Sequence, residues 1–351
     1  MKINTDFIKL CKALITENEV MINKDIDWKS MCKMALEEKL LPLFLNMYQK
    51  NIPDKILFNF VIDENKTYIK NKHIVDVIEY LTEKIGYQML VGKGCSFSQY
   101  LYSDPLIRVC KDVDFFVKNE HQFLICKAME SLGYREAHYA GKKKINTQEL
   151  HDFYASPFEK AFIKEGSPYI EIKSSALLFE KSICKNGIEN YVTFENYPNI
   201  KTFNIFYTFL LLNANIYINY FSSWGISAEC KFRDLVDLCK FYFKYGSSLK
   251  ESDYYEIENI TFPDLSYNMK DIISANCNLI SYVFDGSFVG KYIPDFFQGD
   301  TVWPENIDAN QIIFNERDDR WENYSEAKNK NSDSFVKYKT VFLPVRMEKY
   351  K

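Results

Sequence analysis

Near its start the chain carries apolar positions at helical spacing, with Phe7, Leu10, Cys11, Leu14 and Ile15 on one stripe, the signature of an amphipathic helix. Asp27 stands where it would cap a second helix that begins near Trp28 and carries Met31, Met34, Ala35 and Leu36. Leu40-Leu41-Pro42-Leu43 starts a further turn, its proline suited to a first helical position. Past Pro53, residues 55–85 read as one long helix. Its apolar positions are Ile56, Phe60, Ile62, Tyr68, Ile69, Ile74, Val77, Ile78 and Leu81, and Gly86 ends it. Residues 87–91 are strand-like, and residues 119–132 form an amphipathic helix stopped by Gly133. Two more strand candidates follow at 149–155 and 168–174. Helical patterning returns over 203–220, 227–244 and 269–284, ahead of a polar tail from 316 and a last apolar run at 340–345. This order predicts an α+β fold, a small mixed sheet with helices on one face. It divides the chain into a helical region 1–85, an α/β core 86–180, a second helical region 195–300 and an extension 301–351.

Composition narrows the classes. With 351 residues, 47% hydrophobic and 26% charged, the chain reads as a soluble globular protein with room for two or three packed units. A net charge of −4 gives no global electrostatic case for nucleic acid as a partner, and Lys142-Lys143-Lys144 reads as a solvated loop. The nine cysteines, at 11, 32, 95, 110, 126, 184, 230, 239 and 277, include no Cys-x-x-Cys pair, and the four histidines are scattered. Reduced thiols in a cytoplasmic protein, without a zinc site, are the expectation. The N-terminus lacks the apolar core and small-residue cleavage site of a signal peptide, and no apolar run reaches membrane-spanning length.

Chemistry concentrates in residues 88–117. The apolar run 89–91 leads at once into Gly92-Lys93-Gly94, and Asp112-Val113-Asp114 opens a second strand through Phe115-Phe116-Val117. In a strand, Asp-x-Asp puts both carboxylates on one face. Neighbouring carboxylates repel unless a cation lies between them, and Mg²⁺ is the usual one. A glycine turn at a helix start exposes backbone N–H groups that suit phosphate. The combination points to metal-assisted chemistry on a nucleoside triphosphate. Further on, alternation puts Tyr169, Glu171 and Lys173 on one strand face and Ile170 and Ile172 on the other, with Lys173 placed either to pair with the acid or to stand in for a base or a phosphate contact. Lys231, Asp234 and Asp237, spaced i, i+3, i+6, share a helix face that is either solvated or part of a site.

These residues resemble a known family. The run LVGKGCSFSQYLYSDPLIRVCKDVDFFV is similar to the nucleotidyltransferase core of the polymerase-β-like superfamily, and closest to its bacterial uncharacterised nucleotidyltransferase branch. The shared positions are Lys93-Gly94, Tyr102, Arg108, Asp112 and Asp114, with Ile170-Glu171-Ile172-Lys173 matching a third, acid-bearing strand. Trp28, Ala35 and Leu41-Pro42-Leu43 resemble the leading helices, and residues 232–238 the C-terminal region, so the likeness covers roughly 5–245. It implies two-metal nucleotidyl transfer, with Asp112, Asp114 and Glu171 holding two Mg²⁺ ions (Mn²⁺ as a substitute). Gly94, Cys95 and Ser96 would cradle the phosphates, and Lys93, Arg108 and Lys173 would meet their charge. The implied substrates are a nucleoside triphosphate, ATP foremost, and a hydroxyl on a small molecule, peptide or protein. The competing expectation is a non-catalytic nucleotide-binding or antitoxin-like module that keeps the fold. The chain departs from the branch at Lys111, where a small residue is usual, and at Lys173, where a histidine is common. Asn213 or Asn215 also stands where a histidine is expected.

Overall fold

A computed structural model describes residues 5–18, 25–137, 159–174, 187–221, 231–260 and 268–297. The chain divides into two compact units, one drawn from residues 1–66 and 212–343, the other from residues 67–211. The fold is α+β, as the order of patterns predicted.

In the first unit the helical stripes become α1 (Thr5–Thr16), α2 (Trp28–Glu37) and α3 (Leu41–Tyr48). Asp27 caps α2 by accepting a hydrogen bond from the Ser30 amide, and Pro42 sits in the first turn of α3, where its missing N–H costs nothing. Phe7, Trp28, Phe44 and Tyr48 pack ring against ring, and the Tyr48 hydroxyl donates to the Leu10 carbonyl at 2.7 Å. That bond satisfies the Tyr48 hydroxyl within the aromatic cluster. Phe232, at the start of a helix over Phe232–Tyr245, joins the cluster through Phe7. The face that carries Lys231, Asp234 and Asp237 is not solvated, because all three are buried. Burial of charge demands partners, and Arg233 provides one by donating twice to Asp234 Oδ1, at 2.8 and 3.1 Å.

The second unit is built on a seven-stranded mixed sheet. Its strands are β1 (Met89–Gly92), β2 (Asp112–Val117), β3 (Arg135–Ala137), β4 (Glu159–Ile163), β5 (Tyr169–Lys173), β6 (Tyr191–Phe194) and β7 (Tyr197–Phe203). Their order is β3-β4-β5-β2-β1-β7-β6. Pairing is antiparallel except for β5 with β2 and β1 with β7. The long helix α4 (Asp54–Ile85) ends at Gly86, whose φ of +71° suits glycine. Its Ile74, Ile78, Leu81 and Ile85, spaced i, i+4, i+7, i+11, form the stripe that meets the sheet. Ile62 and Ile69 miss that stripe and are exposed. A second helix, α6 (Asn119–Ser131), adds Ile125 and Met129 to the same core, with Gly133 at φ +84° just past its end. From the strands come Met89, Val91, Val113, Phe115, Val117, Phe162, Ile170, Ile172 and Ile200.

Four strands were not legible beforehand. β3 and β4 are short and each opens on two adjacent charged residues, Arg135-Glu136 and Glu159-Lys160, and the β6–β7 hairpin has a largely exposed edge strand. Their identity as strands comes from their neighbours in the sheet, not from an apolar alternation. The candidate strand 149–155 and the tail from 316 lie outside the described residues.

Candidate active site

Strand parity determines which residues face away from the α4 and α6 core. Since Val113, Phe115 and Val117 enter that core, Asp112, Asp114 and Phe116 lie on the other face. The same logic puts Glu171 and Lys173 opposite Ile170 and Ile172. Register then aligns the acids across strands: Asp114 stands between Gly92 on β1 and Glu171 on β5. Gly92 has to be glycine here, because a Cβ on it would lie 2.3 Å from the buried Phe116 ring. This polar face is buried at its centre. Asp114 and Glu171 are each 7% exposed and Lys173 is 4% exposed.

Lys173 is the hub. Its Nζ lies 2.7 Å from Asp114 Oδ1 and 2.7 Å from Glu171 Oε2, distances typical of charge-assisted hydrogen bonds. Lys93 Nζ approaches the same Asp114 oxygen at 4.0 Å. Burial by itself would raise the Asp114 carboxyl, but the Lys173 and Lys93 charges outweigh it and hold the group at about 2. Asp112 moves the other way. Burial, and then the Asp114 charge, push it above the ordinary carboxylate value, against the pull of three lysines. Two acids two residues apart thus have opposite shifts, the behaviour expected of neighbouring carboxylates of which only one has a close ammonium partner.

Helix α5 (Lys93–Leu101) starts directly after β1, so the predicted glycine turn is a strand running straight into a helix. Gly92 is its N-cap and supplies no side-chain cap to the first amides. Lys93 takes φ +49°, a left-handed conformation costly for a residue with a Cβ. Backbone strain of this kind gathers at functional positions.

The other candidates sit nearby with different jobs. Cys95 is buried in the sheet core, which leaves its backbone as the part directed to the helix start. Ser96 is fully buried, its hydroxyl 2.8 Å from the Thr202 hydroxyl that donates to it and 3.2 Å from that of Thr208. Arg108 is 3% exposed; it donates to the Gly94 carbonyl at 3.2 Å and lies over the Phe97 ring. It braces the first turn of α5 from beneath. Behind it is a residue that pattern reading passed over: Asn71 on α4 donates to the carbonyls of Leu106 and Arg108 and accepts from the Cys110 amide. The only sequence signal for it was a polar residue within the apolar stripe of α4.

A family model described as uncharacterised nucleotidyltransferase matches residues 24–256, about two thirds of the chain. The chain belongs to that family. Membership brings transferase chemistry on a nucleotide substrate, and the matched span takes in β1, α5, β2 and β5 with all the residues above. No curated protein and no solved structure matches the chain. Among the described residues, no helix is long and apolar enough to cross a membrane. Also among these residues, no three Asp, Glu, His or Cys side chains are grouped so as to hold a metal ion.

Proposed function

We propose that this nucleotidyltransferase moves a nucleoside monophosphate from a nucleoside triphosphate, ATP first among them, to a hydroxyl of a small-molecule, peptide or protein acceptor. The observation that carries the reading is the placement of Asp112 and Asp114 on one strand face, with Asp114 in register with the β1 residue that starts α5.

Asp112 and Asp114 fit Mg²⁺. They offer hard oxygens, and Mg²⁺ takes only one or two carboxylates when phosphate and water complete its shell. When bound, the ion would offset triphosphate charge and ease the departure of pyrophosphate. The chain's own groups supply the rest. Amides at Gly94 and Cys95, at the positive end of α5, bind phosphate oxygens. Lys93 adds an ammonium beside them, and Arg108 keeps the Gly94 peptide in place while adding positive charge next to it. The acceptor oxygen bonds to the α-phosphorus, the bond from that phosphorus to the β-bridging oxygen breaks, pyrophosphate leaves, and the hydroxyl proton passes to water.

The test is transfer of label from α-³²P-ATP into cell-extract components by the full-length protein with Mg²⁺. A labelled acceptor is expected, reduced at least 100-fold by Asp112→Asn or Asp114→Asn. Label arriving only from γ-³²P-ATP would replace this reading with phosphoryl transfer. Mg²⁺-dependent binding of α,β-methylene-ATP without any label transfer would replace it with a nucleotide-binding module.

A further inference from the structure

Two carboxylates face each other across β2 and β5 at the position where the resemblance expects a second metal ion, and an ammonium already lies between them. Lys173 Nζ touches Asp114 Oδ1 and Glu171 Oε2 at 2.7 Å each, from a side chain only 5% exposed. From this geometry we infer that Lys173 is a built-in cation in place of a second metal, so that the site takes one divalent ion, on Asp112 and Asp114, and not two. The inference rests on the nucleotidyltransferase reading and deepens it.

Several observations meet at this point. Parallel pairing fixes Asp114 opposite Glu171, and neighbouring strands lie about 4.8 Å apart, which suits one bridging cation. Lys173 follows Glu171 by two residues on the same face, so its stem runs along the sheet and returns its head to the acids without leaving the strand. An ammonium has three donors, and with two contacts at 2.7 Å it fills such a gap well. A Mg²⁺ ion bound to the same two oxygens would need contacts at about 2.0–2.1 Å and several further oxygen ligands. It would have to displace a buried ammonium from both carboxylates. Asp112 is more exposed than its neighbours on this face and remains the carboxylate through which an ion carried in by the nucleotide enters.

In this arrangement Lys173 is a positioning residue for the carboxylates. It supplies a fixed single charge where a metal would supply a dissociable double one.

Crystals of the full-length protein with Mn²⁺ and α,β-methylene-ATP, measured at the manganese edge, test this directly. One anomalous peak per chain is expected, next to Asp112 and Asp114. Lys173→Ser should gain a second peak between Asp114 and Glu171, and Lys173→Arg should keep one. In solution Lys173→Ser should melt below the wild type without metal and regain at least half of the loss on adding Mn²⁺ alone. A second peak between Asp114 and Glu171 in the wild type overturns the inference even if Lys173→Ser does not fold. So does a Lys173→Ser protein that binds one ion and is not rescued. No manganese with nucleotide at all overturns the nucleotidyltransferase reading and this inference with it.

Discussion

Single residues decide how close the parts of the site come together. Gly92 shows this most sharply, since its missing side chain is the space that the Phe116 ring occupies. That ring cannot retreat easily, because it is fully buried and set edge-on to Phe203 at 5.1 Å between centroids. Gly92→Ala is therefore expected to destabilise the protein by about 1–3 kcal/mol, the usual cost of overpacking a tight core. Chemical denaturation would measure it, and Phe116→Leu in the same chain should recover part of the loss. If Gly92→Ala proves as stable as the wild type, the close approach of β1 and β2 has been misread. Lys93 is the other residue of this kind, holding a left-handed backbone at the helix start while reaching toward Asp114.

At the scale of elements, the question is how the segment before β2 is held so that Asp112 and Asp114 present themselves correctly. The answer lies on α4. The Asn71 amide closes two carbonyls and one N–H of residues 106–110 at once, and it is itself buried. Removing it leaves three backbone groups to find new partners, and each unsatisfied buried group costs about 1–3 kcal/mol. Asn71→Ala is expected to lose about 2–4 kcal/mol in a urea titration, after some relaxation of the segment. It should also weaken Mn²⁺ binding, because the strand bearing the carboxylates starts right after the braced residues. A loss below about 0.5 kcal/mol would show the brace to be idle.

For the whole molecule, thiols report on both packed units. Burial pushes Cys32 and Cys126 up to about 11, Cys277 up to about 12, and Cys11 and Cys239 well above the ordinary thiol value of 9.0. Cys11, Cys32, Cys126, Cys239 and Cys277 are free thiols. The sign of the linkage follows. A thiol whose folded value is raised contributes stability that is complete below the unfolded value and is lost as pH rises toward the folded one. Melting temperature should be flat near neutrality and fall from about pH 9, with each fully ionising thiol adding about 1.4 kcal/mol per pH unit to the loss. Maleimide at pH 7.5 should leave Cys11, Cys95, Cys239 and Cys277 unlabelled until urea is added. A melting curve unchanged up to pH 10.5 would count against these burial assignments.

What the sequence determined is whatever depends on neighbours along the chain. Helical spacing located α1, α2, α4 and α6, glycines marked the ends of α4 and α6, and period-two alternation put Asp112 with Asp114 and Glu171 with Lys173 on common faces. Each of these follows from the geometry of a single element. Tertiary structure decided which element lies beside which. Nothing local says that β5 pairs in parallel with β2 so that Glu171 meets Asp114, that Lys173 reaches both, or that Arg108 turns inward beneath Gly94. Charged short strands such as β4 become strands only because neighbours accept their backbone hydrogen bonds. The choice of carboxylates was therefore local, and the cation that sits between them was a consequence of register.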